Sequence, residues 1–180
     1  MPQSSTQKPI VSIFNIGDTV VYPSHGVGKI SALESQIIVG IEQKFYVVTF
    51  DKDKMTLKVP VSRADKAGLR QLSSSDDLEK ALITLQGKSK TAKGMWSKRA
   101  QEYEAKINSG SVVNIAEVLR DLHRNVDDPA RSYSERVIYD SAFKRFTHEY
   151  AAAAHLNAEQ AELKIREMLE DAKILSQEAA

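Results

Sequence analysis

The rhythm of apolar and polar positions changes once along the chain, near Pro60. Before it the apolar runs are short and β-branched. "DTVVYP" is stopped by Pro23, and "GVGKISALE" follows, with Gly26 and Gly28 suggesting a bend or bulge. "SQIIVGIEQKFYVVTF" reads as two short strands around a break at Gly40–Lys44. "DKDK" (Asp51–Lys54) reads as a charged turn, and "MTLKVPV" as an alternating strand ended by Pro60. Strands this short, joined by turns this tight, predict a small curled sheet or barrel.

After Pro60 the period becomes helical. "SRADKAG" reads as a short helix closed by Gly68. In "SSSDDLEKALITLQG" Ser75 or Asp76 can cap, acids fill the first turn, and Leu78, Ala81, Leu82 and Leu85 share a face before Gly87 ends the helix. "KSKTAKG" holds nothing apolar beyond alanine and reads as a linker. Four further helices are predicted. Trp96, Ala100, Tyr103 and Ile107 stripe the first, which breaks at Gly110. Ile115, Val118, Leu119, Leu122 and Val126 stripe the second. Ser132 and Glu135 have capping-box spacing for the third, lined by Tyr139, Phe143, Phe146 and Tyr150. Asn157 can cap the last, with Ala161, Ile165, Met168, Leu169 and Ala172 inward. The expected class is α+β. Residues 1–12 form a flexible tail, 13–70 a small β-barrel, 71–92 a short helix and linker, and 93–175 an all-α bundle.

Composition narrows the function. With 42% apolar and 27% charged residues the chain can bury a real core. Its formal net charge of +1 produces no global field, so any attraction to nucleic acid must come from local clustering. The absence of cysteine excludes disulfides and thiolate metal sites and fits a reducing, cytoplasmic setting. No apolar run approaches the roughly 18 residues that span a bilayer. Nothing in the charge pattern signals an oligomer, and a monomer is the default.

Candidate catalytic patterns fail on inspection. "HGVGK" (His25–Lys29) would need Gly in place of Pro23 and Ser or Thr in place of Ile30 to be a phosphate loop, and it runs into strand rather than helix. His148 and His155 are seven residues apart, too far for the i, i+4 spacing of a helical zinc pair, and no third ligand is evident. His123 is expected near a core edge or the surface. No nucleophile elbow is present. The sequence predicts a binding protein with no metal and no cofactor.

One stretch does stand out. Lys88, Lys90, Lys93, Lys98 and Arg99 lie between Gln86 and Gln101 with no acid among them, and the sole tryptophan, Trp96, lies within. Such a cluster can neutralise phosphates and release counterions. Two readings of Trp96 stand. It shares a stripe with Tyr103 and Ile107 and can close the bundle. Its first-turn position also lets it project past the bundle end, as an apolar wedge among cations that unstacks a base step.

In order along the chain, "FNIGDTVVYPSHGVGKI", "FYVVTF", "MTLKVPV", "GLR", "MWSKRA", "SGSVVNIAEVLRDLHR" and "SYSER" resemble the CarD/CdnL family of bacterial transcription regulators, from about Phe14 to about Leu169. The N-terminal part is also similar to the polymerase-interacting module of transcription-repair coupling factors. The resemblance implies a Tudor-like barrel that binds the β subunit of RNA polymerase. It also implies helices that contact promoter DNA just upstream of the −10 element and stabilise the open complex. By the same resemblance Trp96 is the minor-groove wedge, Lys98 and Arg99 touch backbone phosphate, and Arg136 approaches DNA. Gln36 and Lys58 fall at polymerase-facing positions where relatives can carry Arg. Lys58 keeps the charge without the guanidinium fork, and Gln36 loses the charge. Ala100 and His123 stand where aromatics are common in relatives. A different reading is a protein-only adaptor, tethered to polymerase, whose helices bind another protein.

Overall fold

A computed structural model of the chain describes residues 13–90 and 93–180. The tail expected over residues 1–12, and residues 91–92 of the expected linker, lie outside the described residues. The first half is an antiparallel sheet of β1 (Thr19–Tyr22), β2 (Gly26–Ile38), β3 (Ile41–Phe50), β4 (Met55–Pro60) and β5 (Arg70–Gln71), ordered β4-β3-β2-β1-β5. Val20, Ile30, Tyr46, Val48, Phe50 and Val59 point to one side, where Phe14, Ala64 and Leu69 complete a core. The α+β class therefore holds. The sheet is open rather than a closed barrel, with β4 and β5 as its edges, and is compatible with a Tudor-like fold.

The β2–β3 hairpin departs from the sequence expectation. Its strands run 13 and 10 residues, and β3 resumes at Ile41 instead of after a break through Lys44. The whole reversal is made by Val39 and Gly40, at φ 52° and 73°. A two-residue turn of this hand needs positive φ at both positions. Valine is a poor candidate for that role, which hides the turn from propensity. The strands stay continuous by absorbing a bulge between Ile30 and Ala32. There Ser31 donates to the Val47 carbonyl at 3.1 Å and accepts from Thr49 at 2.9 Å. "SRADKAG" forms only a 3-10 turn, Val61–Arg63, followed by tight turns. Burying both Ala64 and Leu69, five residues apart, wins over helix periodicity.

The helices are α1 (Ser75–Gln86), α2 (Trp96–Asn108), α3 (Val112–His123), α4 (Tyr133–Ala154) and α5 (Ala158–Glu178). Their shared core includes Ala81, Leu85, Tyr103, Leu119, Leu122, Phe146, Ile165 and Leu169. The α1 cap is Ser74, one residue before those expected. Ser132 caps α4, but Glu135 does not complete the expected box. Its carboxylate instead accepts from Asn125 Nδ2 at 3.0 Å. Asn157 and Gln160 make a full reciprocal box at α5.

Sheet and helices are joined by a polar clasp. Arg70, the last residue of "GLR", places its guanidinium on both Glu149 carboxylate oxygens at 2.8 and 3.0 Å. Its Nε also donates to the Gly110 carbonyl at 2.9 Å. Glu149, on α4, is only 2% exposed, and it accepts further bonds from the Ser73 backbone N–H and hydroxyl. Arg145, one turn earlier on α4, donates to the Pro23 and Ser24 carbonyls in the β1–β2 turn. Pro23 lies against Gly68 and Gly110, both at positive φ, where an added Cβ would stand 2.7 and 3.2 Å from its Cγ.

A buried carboxylate stripped of its cation is far costlier than the intact pair is stabilising. Arg70→Ala should therefore lower unfolding free energy by about 3–5 kcal/mol, and Arg70→Lys, which cannot form the fork, should recover only part of it, both read from denaturant midpoints. At the same joint, burial pushes His148 down to about 4, with Lys52 and Lys144 adding to the shift and Asp53 opposing it. His148 is thus neutral in the fold, while the unfolded chain binds a proton near the ordinary value of about 6.5. Its contribution is fully present above that value and is lost as pH falls from about 6.5 towards 4. Melting temperatures at about pH 7 and about pH 4.5 should differ less for His148→Gln than for the native chain.

Candidate nucleic-acid interface

Trp96 and Tyr133 occupy the first positions of α2 and α4. The two helix starts lie side by side, because the Trp96 indole N–H donates to the Ser134 hydroxyl at 3.3 Å. The indole is half-buried. It lies against Tyr103, with ring centres 6.3 Å apart, and Arg99 covers it at 5.5 Å. It therefore folds back onto the bundle while keeping an accessible edge. Met95 and Tyr133 flank it at 77% and 79% exposure, so the surroundings of this edge are apolar.

The electrostatics of this end follow from what is missing. No side chain caps α2 and no acid lies in its first turn, whereas Ser74, Ser111, Ser132 and Asn157 cap the other four helices. The partial positive charge of the α2 start is left unbalanced. Lys93 and Lys98 are exposed beside it, and Arg136 extends from the first turn of α4, one of its nitrogens 3.5 Å from the Arg131 carbonyl. Lys88 and Lys90 are also exposed, but the Lys90 backbone N–H is pinned to Asp121 at 2.8 Å, so this part of the expected linker is held on α3. Of the expected DNA-facing residues, Arg99 therefore touches Trp96, while Lys98 and Arg136 are exposed in the first turns of the two helices whose starts the Trp96–Ser134 bond joins. Ala100 is half-buried against the helical core.

Gln36 and Lys58 lie elsewhere, on the outer face of the sheet. Lys58 on β4 pairs with Glu34 on β2 at 2.6 Å, and Gln36 is two residues along the same strand, on the same side. They share a surface, and its lysine is partly neutralised by Glu34.

Sequence reasoning missed the aromatic at the start of α4, since "SYSER" reads only as a cap until the two helix starts are seen side by side. His123, expected near a core edge or the surface, lies at a core edge, with its ring reaching from the core to the half-exposed Glu170. His123 is 5% exposed, with Nδ1 2.7 Å from the Tyr139 hydroxyl and Nε2 2.7 Å from the Glu170 carboxylate. Burial lowers its affinity for a proton, against the pull of Glu170. Burial likewise raises Tyr139 to about 12. This cluster ties α3 to α4 and α5. Among the described residues no group of three or more His, Cys, Asp or Glu could hold a metal ion, and no helix is long and apolar enough to cross a membrane.

Residues 14–73 match the family described as the CarD-like/TRCF RID domain, and residues 80–166 match the CarD C-terminal domain. A relative from Bacillus subtilis (strain 168), named "Putative transcription factor YdeB", is 30% identical over 132 residues, covering 73% of this chain and 86% of its own length. The chain belongs to the CarD family. At the coarse level that membership makes it a transcription regulator. The two matched segments are separated by residues 74–79, the start of α1, where the apolar core of the sheet gives way to that of the helices.

In this CarD-family chain His123 makes two hydrogen bonds that a phenyl ring cannot. His123→Phe would leave the Tyr139 hydroxyl without its bond. It should cost about 1–3 kcal/mol of stability in urea unfolding, and a variant as stable as the native chain would contradict the assignment.

Proposed function

We propose that this regulator binds the β subunit of RNA polymerase through the outer face of its sheet, at Gln36 and Lys58. In the same reading its helical module contacts promoter DNA near the −10 element, at the upstream edge of the transcription bubble, and so stabilises the open complex. The observation that carries the reading is the acid-free helix start bearing Trp96, with Lys98, Arg99 and Arg136 around it. Cations at that density suit backbone phosphate. An apolar edge among them suits a distorted base step. The joined match to the RID-type and CarD C-terminal families supports pairing a polymerase contact with a second function in one chain.

Open and closed promoter complexes are two states in equilibrium. A protein shifts them only by the difference between its affinities for each. Contact with a fork that exists only in the open form supplies such a difference. Tethering to polymerase raises the local concentration of the helical end, so weak DNA contacts suffice in a chain of net charge +1.

Trp96→Ala should shorten open-complex lifetime and remove protection at the upstream fork in a promoter footprint with polymerase. Because Trp96 also packs on Tyr103, the exposed Lys98→Glu serves as a variant that does not touch the core. It should weaken DNA binding and lower its salt slope, by about one for each phosphate it no longer neutralises. Unchanged footprints and lifetimes for both would favour a protein-only adaptor that binds polymerase and another protein.

A further inference from the structure

We propose that Tyr133, with Met95, forms a stacking shelf for an unpaired nucleobase beside Trp96. This rests on the proposed DNA contact and extends it to a ligand class that Trp96 alone does not serve. The two aromatics at this end are held differently. Trp96 is half-buried and held by contacts with Tyr103, Arg99 and Ser134. Tyr133 is 79% exposed and immediately precedes Ser134, the residue that the indole N–H contacts, so its ring is open to solvent at the same helix start. A first-turn aromatic buries little against its own helix. Nothing in the fold explains a large exposed ring at this position, because Ser132 already caps α4 through the Glu135 N–H at 3.1 Å.

The charges around the shelf select the occupant. Lys98 follows Met95 by one turn on α2, Arg136 follows Tyr133 by one turn on α4, and Arg99 lies over Trp96. Glu135, the acid nearest in sequence, is turned inward and held by Asn125. Asp127 is paired with Lys173, and Asp128 accepts from the Ala130 backbone N–H. The first exposed acids along the two helices are Glu102 and Asp140, each about two turns in. Aromatic faces beside cations are the arrangement by which proteins hold single-stranded bases without reading their sequence. Val137 continues the exposed apolar strip one turn along α4, in the direction a second base would take.

The test uses the full chain, its cognate RNA polymerase and a promoter fork junction with 2-aminopurine at successive unpaired positions. The native chain should quench the fluorophore at one position next to the fork. Tyr133→Phe should quench equally, whereas Tyr133→Ala should lose the quench and shorten open-complex lifetime by about tenfold, the usual scale of one base–aromatic stack. Tyr133→Leu, apolar but not aromatic, should resemble alanine. Equal quenching by Tyr133→Ala overturns the shelf. If lifetime then still depends on Trp96 and Lys98, the DNA-contact reading survives without it. If the native chain leaves the fork fluorescence and lifetime unchanged, both fall. A strip that docks protein would appear as Tyr133 variants losing polymerase binding with no change in quenching by the bound fraction, and this too would overturn the shelf.

Discussion

The forked contact of Arg70 with Glu149 and the Gly110 carbonyl is the interaction on which the rest of this structure depends. One guanidinium joins the edge strand β5 to α4 and to the α2–α3 connection. Its planar donors grip both oxygens of a carboxylate in a fork while holding a carbonyl beside it, a fixed geometry that a lysine ammonium does not supply. Glu149 would be an intolerable charge at its depth without that cation and the two Ser73 donors. Arg145 repeats the device one turn away, on the carbonyls of Pro23 and Ser24. Glycines at 68 and 110 leave room for the Pro23 ring between them. Sheet and helices therefore hold a fixed relation, and a partner bound to one fixes where the other can reach.

That rigidity gives the acid-free helix end its meaning under the proposed function. A flexible pair of modules would offer DNA a low effective concentration of cations. A fixed pair offers them at one place relative to polymerase. Trp96 is rigid for a local reason as well. Its indole is bonded to Ser134 and packed between Tyr103 and Arg99, so little rotamer freedom is left to lose on binding. The same packing means that the two readings of this residue are compatible. It closes the bundle with one face and keeps an edge at the surface.

Much of the fold was legible from the chain. The stripes Ile115–Val118–Leu119–Leu122 and Tyr139–Phe143–Phe146–Tyr150 and the cap at Asn157 correspond to observed elements, whereas the change to helical period expected at Pro60 comes only at Ser75, after β5. Features set by distant residues were not legible. The β2–β3 hairpin hid behind a valine in a turn that favours glycine or asparagine. The "SRADKAG" segment has helical composition but is shaped by the burial of Ala64 and Leu69. Of the candidate site, the cations and the tryptophan were readable because they are close in sequence. Arg136 and Tyr133 join them only because α4 starts beside α2. His123 and Glu149 look like ordinary surface residues of helices until their partners 47 and 79 residues away are in place.

The most direct test of the central claim asks what the exposed first turn of α2 touches at a promoter. A photocrosslinker at Ser97, which is exposed and carries no role in the fold assigned above, would be activated in the complex of the full chain, polymerase and promoter DNA. The expected result is a crosslink to DNA at the upstream edge of the bubble, present in open complexes and absent from closed ones. Crosslinks confined to protein, or to DNA away from the fork, would contradict the proposed DNA contact.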